Sequence, residues 1–169
     1  MANPEKTALV SLLPEADRLL EVAVSVNPAL VRSGIPAHAT ILYPFLPVDE
    51  LSGRNTERLR DIAAALPATD VLLTEVVTEP GFVAVGVPAL QPAMESVCAA
   101  WPELLPYGGR FGPTPPVHVT IAMGASEPEA ERIAAELDRQ LPVRALTGAM
   151  QVVALTADGW RLCLSVPLG

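Results

Sequence analysis

The chain has 169 residues, half of them hydrophobic and 18% charged, with a formal charge of −8. That length fits one domain with a sizeable core, or two small lobes sharing one, and the hydrophobic content excludes a disordered chain. The acidic balance excludes long-range attraction to an extended nucleic-acid duplex but leaves room for a small phosphate ester or a strand end. No apolar run is long enough to span a bilayer, and residues 1–6 carry no basic-then-apolar leader. The chain is therefore expected to be cytoplasmic, clear of membranes and monomeric. Cys98 and Cys163 lack metal-type spacing and lie in apolar stretches, which predicts buried free thiols.

In chain order, residues 9–13 predict a short apolar strand, with Pro14 at a helix start. A helical stretch follows, carrying Leu19, Leu20, Ala23 and Val24 at helical spacing and ending near Asn27 and Pro28. Residues 36–42 form the next strand, which contains His38. A helix over 49–66 stops before Pro67. Residues 71–78 then turn through Glu79, Pro80 and Gly81 into residues 82–87.

The same order begins again at Pro88. Leu90, Met94, Val97 and Cys98 mark a helical stretch that ends near Trp101 and Pro102. Pro88 and Pro102 are 14 apart, as are Pro14 and Pro28. A longer loop leads into a strand over 116–122, which contains His118. A helix over 127–141 starts after Ser126, an N-cap residue with acid in the first turn. Residues 143–155 turn through Ala157, Asp158 and Gly159 into 160–166. Gly81-Phe82 and Gly159-Trp160 occupy matching places. The whole chain, 1–169, is thus expected to be a single internally duplicated domain, with lobe-forming repeats at about 6–87 and 82–168. The expected fold class is α+β: a bilobal domain with two mainly antiparallel sheets facing a central cleft and helices outside.

The chain's two histidines both stand in the pattern His-apolar-Thr-Ile, two residues after a proline. Residues two apart on a strand share a face. His38 therefore sides with Thr40 and His118 with Thr120, while Ala39, Ile41, Val119 and Ile121 face the other way. A twofold relation between the copies sets two imidazoles and two hydroxyls around one cleft. That set suits phosphate-ester chemistry. A neutral imidazole takes a proton from the attacking oxygen, and an imidazolium gives one to the leaving oxygen. The threonine hydroxyls stabilise charge on the non-bridging oxygens.

His38-Ala39-Thr40-Ile41 and His118-Val119-Thr120-Ile121, 80 residues apart, resemble the paired signatures of the two-histidine phosphoesterase superfamily. Within it, the chain is similar to the bacterial 2′-5′ RNA ligase-like proteins, or RNA cyclic phosphodiesterases; Leu42-Tyr43-Pro44-Phe45 after the first motif shares in that likeness. The resemblance implies a bilobal fold, no metal or other cofactor, His38 and His118 as acid and base, and Thr40 and Thr120 as phosphate ligands. It implies an enzyme that opens a cyclic phosphodiester to a monoester. The substrate would be a 2′,3′-cyclic phosphate on an RNA end or nucleotide, or a related cyclic nucleotide phosphate. Which histidine is the base is left open. Many RNA-end-processing relatives carry an arginine shortly after the second motif; here the run is Ala122-Met123-Gly124.

Further substrate contacts are expected from Tyr43, Phe45, Arg110 and Phe111. Tyr43 and Phe45 either stack on a base at the cleft rim or pack inside. Arg110 and Phe111 lie in a Gly-rich loop that either closes over a phosphate, with Arg110 as clamp, or stays solvated. Trp101 and Trp160 read as packing residues. Two other functions compete with the enzyme: a non-catalytic nucleotide or RNA-end binder using the same cleft, and a metal-dependent hydrolase. Two histidines without nearby carboxylates are too few ligands for zinc.

Overall fold

The structure, a computed structural model, describes residues 5–169; the absence of a leader at residues 1–4 lies outside the described residues. The described strands and helices are β1 (Thr7–Leu12), α1 (Asp17–Val26), β2 (His38–Leu42), α2 (Gly53–Ala65), β3 (Thr69–Leu73), β4 (Val76–Glu79), β5 (Phe82–Gly86), α3 (Gln91–Ala100), β6 (His118–Met123), α4 (Glu127–Gln140), β7 (Val143–Thr147), β8 (Ala149–Thr156) and β9 (Gly159–Pro167). This is the expected α+β class with antiparallel sheets. The sheets are unequal. Seven strands run in the order β4-β5-β6-β2-β1-β8-β9, and β3 and β7 form a separate pair. The larger sheet joins its two halves at the histidine strands, through Ala39 opposite Val119.

The strand predicted over 71–78 is two strands, and so is the first strand predicted for the closing hairpin, over 143–155. Each breaks at its middle, at Thr74-Glu75 and at Gly148. The first parts, β3 and β7, pair with each other, Val71 opposite Ala145. The second parts enter the large sheet, where β4 pairs with β5 and β8 with β1. Each break lets one apolar stretch serve two sheets. The helix predicted from 49 begins later, at Gly53. Asp49 and Glu50 form a separate 3-10 turn, and extended Ser52 interrupts the helical hydrogen bonds.

α1 and α3 share a start. A proline opens a 3-10 turn, Pro14–Ala16 or Pro88–Leu90, which runs into the α-helix. Each buries an i, i+3/i+4 stripe: Leu19, Val22 and Ala23 in α1, and Ala93, Met94 and Val97 in α3. Val24, placed on the apolar stripe from spacing, is instead exposed. The stripes pack across the molecular middle. α1 meets β6 and α4, and α3 meets β2 and α2. α4 opens with a full capping box: Ser126 Oγ accepts from the Glu129 N–H, and Glu129 accepts from the Ser126 N–H at 2.8 Å. Glu129 also accepts from Asn27 Nδ2 at 2.9 Å, tying the end of α1 to the start of α4. These hydrogen bonds, the Ser126 N–H first, hold the Glu129 carboxyl below its usual range.

The core lies on the helix-covered face of the large sheet. Ala39, Ile41, Val119 and Ile121 are all buried there. Burying a branched side chain such as Ile41, Val119 or Ile121 is worth about 1.5–3 kcal/mol, and it anchors the backbone whose other face carries the histidines. Cys98 and Cys163 are free but half-buried rather than sealed in the core; burial still raises the Cys98 thiol above its ordinary pKa.

Candidate active site

β2 and β6 are antiparallel neighbours. Extending their register by one residue each way puts His38 across from Thr120 and Thr40 across from His118. All four side chains are half-buried on the face opposite the core. They form a two-by-two array with the histidines on a diagonal. Diagonal neighbours across antiparallel strands are about 7–8 Å apart, which leaves space for a tetrahedral anion between the rings. The array thus brings together the four residues expected from the motifs.

The same devices aim both rings. His38 Nδ1 lies 2.9 Å from the Pro36 carbonyl oxygen, and His118 Nδ1 lies 2.9 Å from that of Pro116. A carbonyl only accepts, so each Nδ1 carries the proton, and in the neutral ring Nε2 keeps its lone pair. The proline two residues upstream therefore sets the tautomer. The residue before each histidine is pinned by the first residue of a helix. Asp17 accepts from the Ala37 N–H at 2.7 Å, and Gln91 accepts from the Val117 N–H at 3.0 Å. Each motif also carries a bulge just past its threonine. Val10 pairs with Thr40 but Leu9 with Leu42, leaving Ile41 over; Ala84 pairs with Thr120 but Val83 with Ala122, leaving Ile121 over. A bulge re-aims the strand, and here it buries two successive residues after each threonine.

The surroundings of the two rings differ. Trp160 stands edge-on to His38 at 4.4 Å between centroids, and Phe82 stands edge-on to His118 at 5.4 Å. Trp160, a packing residue by its place in the sequence, does more than pack: it walls the first imidazole, beside a small apolar cluster of Ala8, Val10 and Val153. Its position rests on a close approach of two glycines. A Cβ on Gly159 (φ +129°) would meet the Gly34 carbonyl oxygen at 3.0 Å, in a backbone region other residues rarely adopt. Burial pushes the His38 pKa below its ordinary value. The Pro36 hydrogen bond opposes this, and nearby His118 adds to it. His38 is thus biased toward the neutral form.

The secondary candidates divide. Tyr43 is half-buried beside the cleft cluster, with its ring 6.3 Å from Tyr107. Phe111 is 56% exposed, edge-on to Tyr107, with Arg110 over its outer face at 5.3 Å. Phe45 does not reach the cleft. It is 5% exposed and packs edge-on against buried Trp101, so the expected substrate contact from Phe45 is replaced by a core role. Besides the part played by Trp160, sequence reasoning misses Asp17, Gln91 and Tyr107. The first two carry a signal, since each lies three residues past one of the matched prolines Pro14 and Pro88. A groove of about 540 Å³ lies elsewhere, between α1 and α4. Among the described residues, no three or more His, Cys, Asp or Glu side chains cluster as metal ligands, and no helix is long and apolar enough to cross a membrane.

The profile of the 2′-5′ RNA ligase superfamily matches residues 14–159. The chain belongs to that superfamily. The match takes in both histidine motifs and places this 2′-5′ RNA ligase superfamily member among phosphoesterase- or ligase-type enzymes. Its fold is that of solved relatives. Against TT0787 of Thermus thermophilus the TM-score is 0.66 at 16% identity, over 96% of this chain and 97% of that one. Against E. coli LigT in its apo form the TM-score is 0.58 at 18% identity, over 99% of each chain. E. coli LigT has also been crystallised with 3′-AMP; that structure matches with a TM-score of 0.51 at 16% identity, over 99% of this chain and 96% of that one. No curated protein matches the sequence.

Proposed function

We propose that the chain, as one duplicated domain, opens a cyclic phosphodiester on a nucleotide or RNA end by histidine acid–base catalysis. The observation that carries this reading is the diagonal His-Thr array, in which, among the described residues, each ring is hydrogen-bonded through Nδ1 and not through Nε2. His38, biased toward the neutral ring by its burial, acts as base. It takes a proton from water as the water oxygen bonds to phosphorus. The phosphorus–oxygen bond to one ribose oxygen breaks, and His118 gives that oxygen its proton. Thr40 and Thr120 donate to the non-bridging oxygens as charge builds. The product is a monoester. Among the described residues, no carboxylates join the histidines in a cluster of three or more metal-ligand side chains, and the reading assigns the proton transfers to the imidazoles themselves. Tyr43, Tyr107 and Phe111 offer aromatic faces to a nucleobase, with Arg110 beside them, and the 3′-AMP bound by E. coli LigT is in keeping with a nucleotide ligand.

The test is turnover of 2′,3′-cyclic nucleotides, cyclic-phosphate RNA ends and cyclic ADP-ribose phosphates in chelator, by wild type, His38→Ala and His118→Ala. Each substitution is expected to cost about 10²–10⁴-fold. Turnover unchanged in both variants sinks the proposal. Binding without product across the whole panel favours the nucleotide-binding alternative.

A further inference from the structure

Five places past each histidine stands a large side chain, Tyr43 in the first copy and Met123 in the second. The bulge after each threonine buries two residues and returns the next to the cleft face. Met123 lies opposite Phe82, whose ring stands at His118, and it is 64% exposed. Because β2 and β6 run antiparallel, equal offsets from the two histidines lead to opposite ends of the cleft floor.

The two ends differ in chemistry. The Tyr43 end carries the rings of Tyr107 and Phe111, with the Arg110 guanidinium over the latter. At the Met123 end the register runs straight across three strands: Met123 faces Phe82, and Phe82 faces Glu79 on β4. Directly opposed residues share a face, so a thioether, a phenyl ring and a carboxylate form one row. Glu79 closes that row, exposed on the edge strand of the sheet. The matching row of the first copy, Tyr43, Ala8 and Val153, ends without charge.

We propose that Met123 and Glu79 determine specificity: they close one end of the cleft to a phosphodiester chain, so the site takes a nucleoside 2′,3′-cyclic phosphate in preference to the same group on an RNA end. A nucleoside cyclic phosphate carries its one charge between the histidines. An RNA end carries one more charge per residue, and its chain has to leave the cleft. Over Met123 it meets no donor, since a thioether is only a weak acceptor, and it approaches Glu79. Strands lie about 4.8 Å apart, which puts Glu79 about 10 Å from Met123. At that range a like charge costs a factor of about 2–16, between water-like and surface-like dielectric. Over the Tyr43 end the chain finds a guanidinium already set against a ring. The net charge of −8 adds a field of the same sign as Glu79.

The specificity rests on the phosphoesterase reading, and the test separates the two. It compares kcat/KM on a nucleoside 2′,3′-cyclic phosphate with kcat/KM on a short RNA ending in the same group. The wild type should favour the nucleoside, and the RNA-to-nucleoside ratio should rise as salt screens the repulsion. An enzyme that tracked the RNA backbone would show the opposite slope. At low salt Glu79→Gln should raise the ratio about 2- to 16-fold, and Met123→Lys at least as much. Thr78→Lys is the control. Thr78 pairs with buried Val83, so the lysine adds the same charge on the other face of the same strand and should move the ratio less. A ratio that falls with salt, a wild type that favours RNA or takes neither substrate, a ratio unmoved in Glu79→Gln and Met123→Lys, or an equal change in Thr78→Lys overturns the specificity. Each leaves the phosphoesterase reading standing while some cyclic phosphate is turned over. A wild type inactive on every cyclic phosphate overturns both.

Discussion

Trp160→Ala tests whether the wall beside His38 sets its chemistry. Trp160 stands 4.4 Å from the imidazole, edge-on. Aromatic pairs of this kind are worth about 0.5–1.5 kcal/mol beyond the area they bury. Losing that hold on the ring corresponds to a fall of about 2- to 12-fold in kcat/KM at the pH optimum. The pH dependence is the sharper readout. Burial is the main cause of the lowered His38 pKa. Removing the indole admits water and moves that pKa back up toward the ordinary imidazole value. A base must be neutral to act, so the acidic limb of the kcat/KM profile should shift to higher pH.

The assay is a kcat/KM profile on one cyclic nucleotide across both limbs, with thermal melting to confirm the fold. Phe82→Ala supplies the internal control. It strips the same kind of neighbour from His118 and should leave the acidic limb in place. An acidic limb that stays put or moves down in Trp160→Ala would refute both the desolvation argument and the assignment of His38 as base.

Asp17→Ala removes the acceptor for the Ala37 N–H, leaving a buried donor unpaired, and should cost about 1–3 kcal/mol in denaturant melts. Asp17→Asn, which keeps an acceptor oxygen, should cost less. Phe45→Ala should behave as a core truncation, losing about 3–5 kcal/mol of stability, with KM for a cyclic nucleotide unchanged below the melting range. Stability should also depend on the protonation of His38. Because its folded pKa is lowered, its contribution is fully present above about pH 6.5 and is lost as pH falls through the folded value. His38→Asn cannot titrate, so its drop in melting temperature between about pH 7 and about pH 5 should be smaller than that of the wild type.

The histidine pair was legible in the sequence because a strand's period of two assigns faces without any tertiary information. Ser126 was legible for a similar reason, since a capping box closes within four residues. Trp160 was not. It reaches His38 from a strand more than a hundred positions away, and the contact depends on the glycines at 34 and 159 meeting back to back. The breaks at Thr74-Glu75 and Gly148 were hidden because each apolar run stays strand-like through the break; only the choice of partner changes. Phe45 stayed open in the sequence because a residue just past a motif strand can turn either way; here it packs edge-on against Trp101.

The proposed duplication accounts for the placement of the two histidines but not for their difference. Both rings receive the same proline carbonyl, the same anchored residue before them and the same bulge after the threonine. Two imidazoles held in identical surroundings would titrate together and would compete for the same role. Acid–base transfer across one phosphate needs one neutral and one protonated ring at the same pH. The asymmetry has to come from elements the two copies do not share. Two such elements stand on the side of the first motif: the indole at 160, where the matching position carries a phenyl ring at longer range, and the longer second loop, whose Tyr107 N–H donates to the Tyr43 carbonyl oxygen just past that motif. Both act on the half of the cleft where His38 is pushed toward the neutral form. In the proposed reaction the repeat sets distance and direction, while the departures from it divide the labour between two otherwise matched histidines.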